Sequence, residues 1–268
     1  TADTFVEWPD YNVLMRSDTK APLGMVSDQF KIVQPKHVLE FFRDLVEMAG
    51  FKLETAGTLF GGSRFWAMAS IGAEDRIVGN DLIKGRLLFA TSCDGSMKSR
   101  VKNIIERVVC ANTLSIAMGE RGAPEVSVSH RTKFDEKAVK AQLGIAVTSF
   151  EHFVKEAREF AKCNVTHEES EAFVAKVLNV AEVEAAKEQR AFDKIMTLFR
   201  VTGHGAMLPG AKNTAWGLIN AVTQYVDHDR PAKGDNADSN RMNSAWFGSG
   251  NAMKDRAVAA ARELVMVS

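Results

Sequence analysis

The sequence predicts an α+β protein: an antiparallel β-sheet with a β-β-β-α core, followed by a helix-rich C-terminal half. Three observations carry that expectation. Between residues 51 and 134 apolar side chains alternate with a period of two and are interrupted by glycine-rich turns. After residue 134 the apolar period lengthens to that of a helix and stays there. The breaks between the strand-like runs are short, as antiparallel neighbours require. The expected organisation is a sheet part over 1–134 and a helical part over 135–268, packed on it as one continuous domain.

Taken in order, NVLMRSDTKAPLGMVSDQFKIV reads as two short extended pieces separated by a turn at Ala21-Pro22-Leu23-Gly24. PKHVLEFFRDLVEMAG reads as a helix: Pro35 suits its first turn, Val38, Phe41, Phe42, Leu45 and Met48 follow helical spacing, and Gly50 suits its end. FKLETAGTLFGGSRFWAMASI alternates, with Gly61-Gly62 as turn or bulge. A strand near 85–93, a turn at Asp94-Gly95 and a third extended run ending at Val108-Val109-Cys110 follow. ANTLSIAMGERG is expected as a helix capped by Asn112 or Thr113, and PEVSVSHRTKF as a further strand. Beyond it lie helices over 135–165, 167–179, the run VEAAKEQRAFDKIMTLFR, 213–228, and a last one in SAWFGSGNAMKDRAVAAARELV. RPAKGDNADSN reads as a polar surface loop.

Composition narrows the functional classes. The chain is 268 residues long, 46% hydrophobic and 25% charged, with 34 basic and 34 acidic side chains. A strong global attraction to nucleic acid is therefore not expected, and any basic surface must be local. Cys93, Cys110 and Cys163 are widely spaced, which argues against a disulfide framework or a zinc knuckle and suits a reducing compartment. The longest apolar runs fall well short of a membrane span, and TADTFVEWPD lacks the features of a secretion signal, so a cytoplasmic protein is expected.

One stretch nearly matches a nucleotide-binding motif. In GHGAMLPGAKNT, Gly205 and Gly210 have the spacing of a phosphate-cradling loop, but Ala211 stands where its lysine belongs and Lys212 comes one place late. The segment before it, EQRAFDKIMTLFR, is helical rather than strand-like. It reads as a connector ending in an Asn213-Thr214 helix cap.

LGMVSDQFKIVQ, ETAGTLFGGSRFWAMA, TSCDGSM, RVVCANTL and NTAWGLINAVTQYVDHDR, in that order over nearly the whole chain, resemble the phage/plasmid-like protein family, a domain of unknown function found in bacteria, prophages and plasmids. The expected three strands and packed helix are also similar to the core of the single-strand annealing proteins of phage recombination, the Redβ and RecT group. That second resemblance implies rings or filaments, no nucleotide cofactor, and single-stranded DNA laid along a basic groove.

The charge pattern is compatible with such a groove. From Lys84 to Lys133 there are nine basic residues against four acidic ones, a local +5 that leaves −5 for the rest. Lys98, Arg100 and Lys102 alternate, so an extended run would place them on one face. The candidate phosphate contacts are Lys84, Arg86, Lys98, Arg100, Lys102, Arg107, Arg131 and Lys133, with Phe65 and Trp66 as candidate base-stacking residues. The competing structural readings are a charged edge strand for the cations and sheet core for the aromatics. Cys110 is expected near a helix N-terminus, as a buried small side chain rather than a nucleophile. Asp227, His228 and His204 lack the spacing of a metal site and read as a helix end.

The function expected is therefore nucleotide-independent binding and annealing of single-stranded DNA by a homo-oligomer, with no catalytic residue, cofactor, metal or membrane partner. The alternatives are a nucleotide- or nucleic-acid-processing enzyme built on the glycine-rich loop with Asp227 and His228, and an interaction or regulatory protein that does not touch DNA.

Overall fold

The computed structural model describes residues 9–32, 34, 36, 37, 40, 51–116, 125–128 and 136–268, with side chains described outside 125–128 and 136–145. The helix expected over 35–50 falls largely outside these residues. Two antiparallel sheets are present. The first is an arm of two strands, β1 (Tyr11–Met15) and β2 (Pro22–Ser27), with Val13 opposite Met25. Pro22, Leu23 and Gly24 lie within β2 rather than in the turn, because the reversal uses residues 16–21, where Arg16 and Ala21 exchange a backbone hydrogen bond and Lys20 takes a left-handed conformation (φ 59°).

The second sheet has six strands. β3 (Lys52–Leu59), β4 (Arg64–Arg76), β5 (Leu82–Ser92), β6 (Ser99–Arg107) and β7 (Asn112–Ser115) lie side by side in chain order, and β8 (Glu125–Val128) pairs with the first half of β6. Short reversals join them, at Phe60–Gly62 and around Gly95 (φ 74°), where a left-handed residue is needed and glycine adopts it without penalty.

Registers define the two faces. Ala67, Phe89 and Val101 align on one, and Trp66, Ala90 and Arg100 on the other. Among the described residues, seven α-helices follow the sheet: α1 (Glu136–Lys162), α2 (His167–Val177), α3 (Val183–Lys187), α4 (Arg190–Thr197), α5 (Ala215–Gln224), α6 (Ala237–Phe247) and α7 (Ser249–Val267). α1 and α5 cover the first face: Phe150 reaches the glycine gap at Gly85, and the Phe153 and Trp216 rings lie 6.2 Å apart. The end of α6 lies on the second, where Trp246 meets Trp66. One hydrophobic cluster runs from Phe65, Leu87 and Ile104 in the sheet to Phe160, Trp216 and Ala257 in the helices.

The architecture is α+β, as expected, but the β-β-β-α core is corrected. The sheet continues through β7, and Asn112–Ser115, expected to begin a helix, form a strand, while the rest of that expected helix from 117 on lies outside the described residues. Ala111 turns the chain with a positive φ of 51°, and Asn112 to Ser115 then pair back along Arg107 to Ile104. The polar side chains that resembled caps hold β7 in place. Asn112 donates to the Asn220 carbonyl and the Thr223 hydroxyl, and the Thr113 amide donates to Asp227. Tertiary partners outweigh the local capping preference. β6 likewise ends at Arg107, and Val108–Ala111 form the turn.

Two expected helices are each divided. VEAAKEQRAFDKIMTLFR breaks between Lys187 and Arg190, and its end, Leu198–Thr202, widens into a π-type turn. The last helix breaks at Gly248, whose extended backbone starts α7 in a new direction. The expected loop over 230–240 yields its last four residues, Ala237–Asn240, to α6.

Candidate nucleic-acid interface

The eight basic residues singled out from sequence do not form one groove. Lys84 sits near Glu74, 3.8 Å away, and Arg86 is clasped by Glu54 and Glu106. Lys102 is buried and donates to the Trp246 carbonyl at 2.8 Å. Arg107 is 2% exposed and gives two hydrogen bonds, 2.7 and 2.9 Å, to the carboxylate of Asp81, which is fully buried. Neither Lys102 nor Arg107 reaches the surface, so both leave the set of candidate phosphate contacts. Arg131 and Lys133 lie outside the described residues. The alternation of Lys98, Arg100 and Lys102 is real only in part: Arg100 and Lys102 share a face of β6, while Lys98 precedes the strand and is exposed.

The aromatic candidates divide similarly. Phe65 is buried in the core. Trp66, on the opposite face, is half-buried and packs edge-on against Trp246, ring centres 5.1 Å apart. Its indole lies against Gly57 on the neighbouring strand, where a Cβ would come within 2.9 Å of the ring. Glycine at that position lets the ring lie flat on the sheet.

Around Trp66 the fold gathers side chains that sequence spacing did not connect. Arg64, at the start of β4, lies 4.8 Å over the Phe60 ring and bonds Asn243 of α6 at 2.6 Å and Ser96 of the β5–β6 turn at 3.3 Å. These hydrogen-bond partners are neutral, so they leave the guanidinium charge in place. Arg100 lies 5.6 Å from the centre of the Phe247 ring, and the buried Lys102 ammonium 5.2 Å from the same ring. The product is a surface of interleaved cations and rings: Phe60, Arg64, Trp66, Arg100 and Phe247, with Lys98 at its margin.

Phe60 carries a second signal. Its φ of 52° is left-handed, which costs an L-residue about 1–2 kcal/mol. Its amide donates to Ser239 at 3.1 Å, so α6 and the turn fix one another. Such strain at a non-glycine residue concentrates where a side chain must be presented in one direction.

The residues of the enzymatic alternative have structural employment. Asp227 is half-buried, pairs with the Lys254 ammonium and accepts from Thr113. Burial pushes the Lys254 ammonium below its ordinary value, against the pull of Asp227. His228 Nε2 lies 3.1 Å from the Cys110 carbonyl, and Asp229 pairs with Lys194 at 2.9 Å. Cys110 lies in the strand-to-strand turn, not at a helix N-terminus, and burial raises its thiol pKa. The thiol is thus moved away from nucleophilic reactivity.

The glycine-rich loop folds into turns braced from both sides. Arg107 reaches the carbonyls of His204 and Gly205 at 3.1 and 3.2 Å, and the His204 amide donates to Gln224. Thr214 caps α5, accepting from the Gly217 amide at 3.1 Å. Lys212 is exposed beside that cap. Among the described residues, no group of His, Cys, Asp and Glu side chains is arranged to hold a metal ion, and no helix is long and apolar enough to cross a membrane.

Fold and surface together define a class: an α+β protein whose antiparallel sheet is clasped by helices and carries a cation–aromatic face. The chain belongs to the family defined by the domain of unknown function DUF932, whose model matches residues 22–246. No curated protein and no solved structure matches it.

Proposed function

We propose that this protein binds single-stranded nucleic acid on the face formed by Phe60, Arg64, Trp66, Lys98, Arg100 and Phe247, and promotes pairing of complementary strands without a nucleotide cofactor. The observation that carries this reading is the interleaving itself. Two arginines lie over aromatic rings 4.8 and 5.6 Å away, beside a half-buried tryptophan. Single-strand binders need this combination: cations to follow the backbone and rings on which bases stack, each stacked base contributing about 1–3 kcal/mol. Annealing requires nothing further of the protein than screened phosphates and accessible base edges. The resemblance to phage and plasmid proteins, and to annealing proteins that work as oligomers in the bacterial cytoplasm, supports the same reading by analogy.

Equilibrium binding of a fluorescent single-stranded oligonucleotide across a salt series tests it. With about three phosphate contacts, log K should fall against log salt with a slope of about −2. The double variant Lys98→Glu/Arg100→Glu should bind at least about tenfold more weakly and with a shallower slope. Lys84→Glu, at the far end of the same strands, should leave binding unchanged. Equal losses in both variants would show that net charge, not this face, attracts the strand.

A further inference from the structure

The arm β1–β2 meets the end of the sheet without closing on it. Arg16 Nη1 donates to the Gly61 carbonyl at 2.8 Å, and Gly24 and the ring of Phe30 pack against the β5–β6 turn. Between arm and sheet lies a cleft of about 460 Å³, within the size range of small-molecule sites. Leu14, Leu23 and Ile32 give it apolar walls, and Arg16, Asp18 and Gln34 give it polar groups.

The polar groups are held in place and incompletely used. Asp18 accepts from Arg16 at 2.9 and 2.7 Å and from the Thr19 amide at 2.8 Å. The Arg16 guanidinium keeps this carboxylate well below its usual range, hence ionised. A carboxylate offers about four acceptor positions, so one remains, on Oδ2. Of the five N–H groups of Arg16, three are engaged by Asp18 and Gly61, leaving one on each terminal nitrogen. An acceptor and two donors thus sit side by side on an exposed ion pair, beside apolar walls. That is the chemistry of a flat heterocycle bearing an amino group next to a ring acceptor.

The cleft lies at the same end of the sheet as the face described above but on its other side, since Thr58, which lines it, pairs with Phe65, and a strand on that face reaches it over the turn. Gly62 lines it, and only the turn Phe60–Gly62 separates it from the Phe60–Arg64 stack. We infer that the cleft receives one nucleobase of the strand bound on that face, and that it favours amino-bearing bases over thymine. Cytosine presents N4–H₂ beside N3, and adenine N6–H₂ beside N1. Thymine offers its one N–H between two carbonyl oxygens that a carboxylate repels. This inference rests on the single-strand reading, and its test separates the two.

The affinities of equal-length oligo-dT and oligo-dC are compared at pH 8 for the wild-type chain, Asp18→Ala and the cleft-filling Thr58→Trp. Thr58 is an exposed lining residue on β3, so the second variant leaves the Arg16–Asp18 pair intact. The wild type should prefer dC by about fivefold or more, the scale of one good base-edge contact. Both variants should bind dT as the wild type does and lose the preference. Equal binding of dT and dC by the wild type, or a preference that survives Thr58→Trp, overturns the cleft assignment alone. Failure of both oligomers to bind overturns the single-strand reading and this one with it.

Discussion

Asp81 is the residue on which most of the molecule converges. Its carboxylate receives Arg107 from β6 and the indole N–H of Trp216 from α5, and Arg107 in turn holds the glycine-rich loop. It is fully buried. Removing one partner of a buried ion pair leaves the other charge uncompensated, at a cost of about 3–5 kcal/mol. Asp81→Ala should lower unfolding free energy by that amount in a denaturant titration, far more than Asp18→Ala, whose ion pair is exposed. A loss below about 1 kcal/mol would mean that Arg107 finds another acceptor. The same residue shows why individual cations were misread from sequence. Arg107 and Lys102 look like neighbours of Arg100 in a basic run, and nothing in that run marks the buried carboxylate or the backbone carbonyl that take them inward.

At the scale of elements, local signals located the sheet and most of the helical half. Alternation located this part of the sheet as three runs where the fold has four strands, β3 to β6; Asp94-Gly95 and Gly61-Gly62 mark two of the reversals, and the one between β4 and β5 carried no signal that was read. Where a segment carried two compatible signals, long-range pairing decided. Asn112 and Thr113 suit a cap and a strand equally in sequence, and the partners that made them a strand, Asn220, Thr223 and Asp227, lie more than a hundred residues away. The Thr214 cap was legible because its partner, Gly217, is local. Gly217 has a further role, since a Cβ there would collide with the Ala211 carbonyl oxygen. Gly217→Ala should therefore destabilise the fold by about 1–3 kcal/mol by overpacking, despite alanine's better helix propensity. A calorimetric melt that rises instead would show that the loop can move aside.

On the scale of the whole molecule, the formal net charge is zero, and among the described residues cations such as Arg86, Lys102, Arg107 and Lys254 have intramolecular partners. The sequence supplied Trp66 and Arg100 as candidates. Phe60 is legible only as one of four strand aromatics, with Phe65, Trp66 and Phe89, and Arg64 and Phe247 are not legible at all, because the strand start, the turn and α6 come together only in the folded chain. We propose that a single strand lies across Phe60, Trp66 and Phe247. Photo-crosslinking with an oligonucleotide carrying a halogenated pyrimidine measures that directly. Adducts are expected on peptides containing Phe60, Trp66 or Phe247, diminished by Lys98→Glu/Arg100→Glu and by excess unlabelled single strand. Adducts confined to the far end of the sheet around Lys84 and Arg86, or none at saturating oligonucleotide, would contradict it.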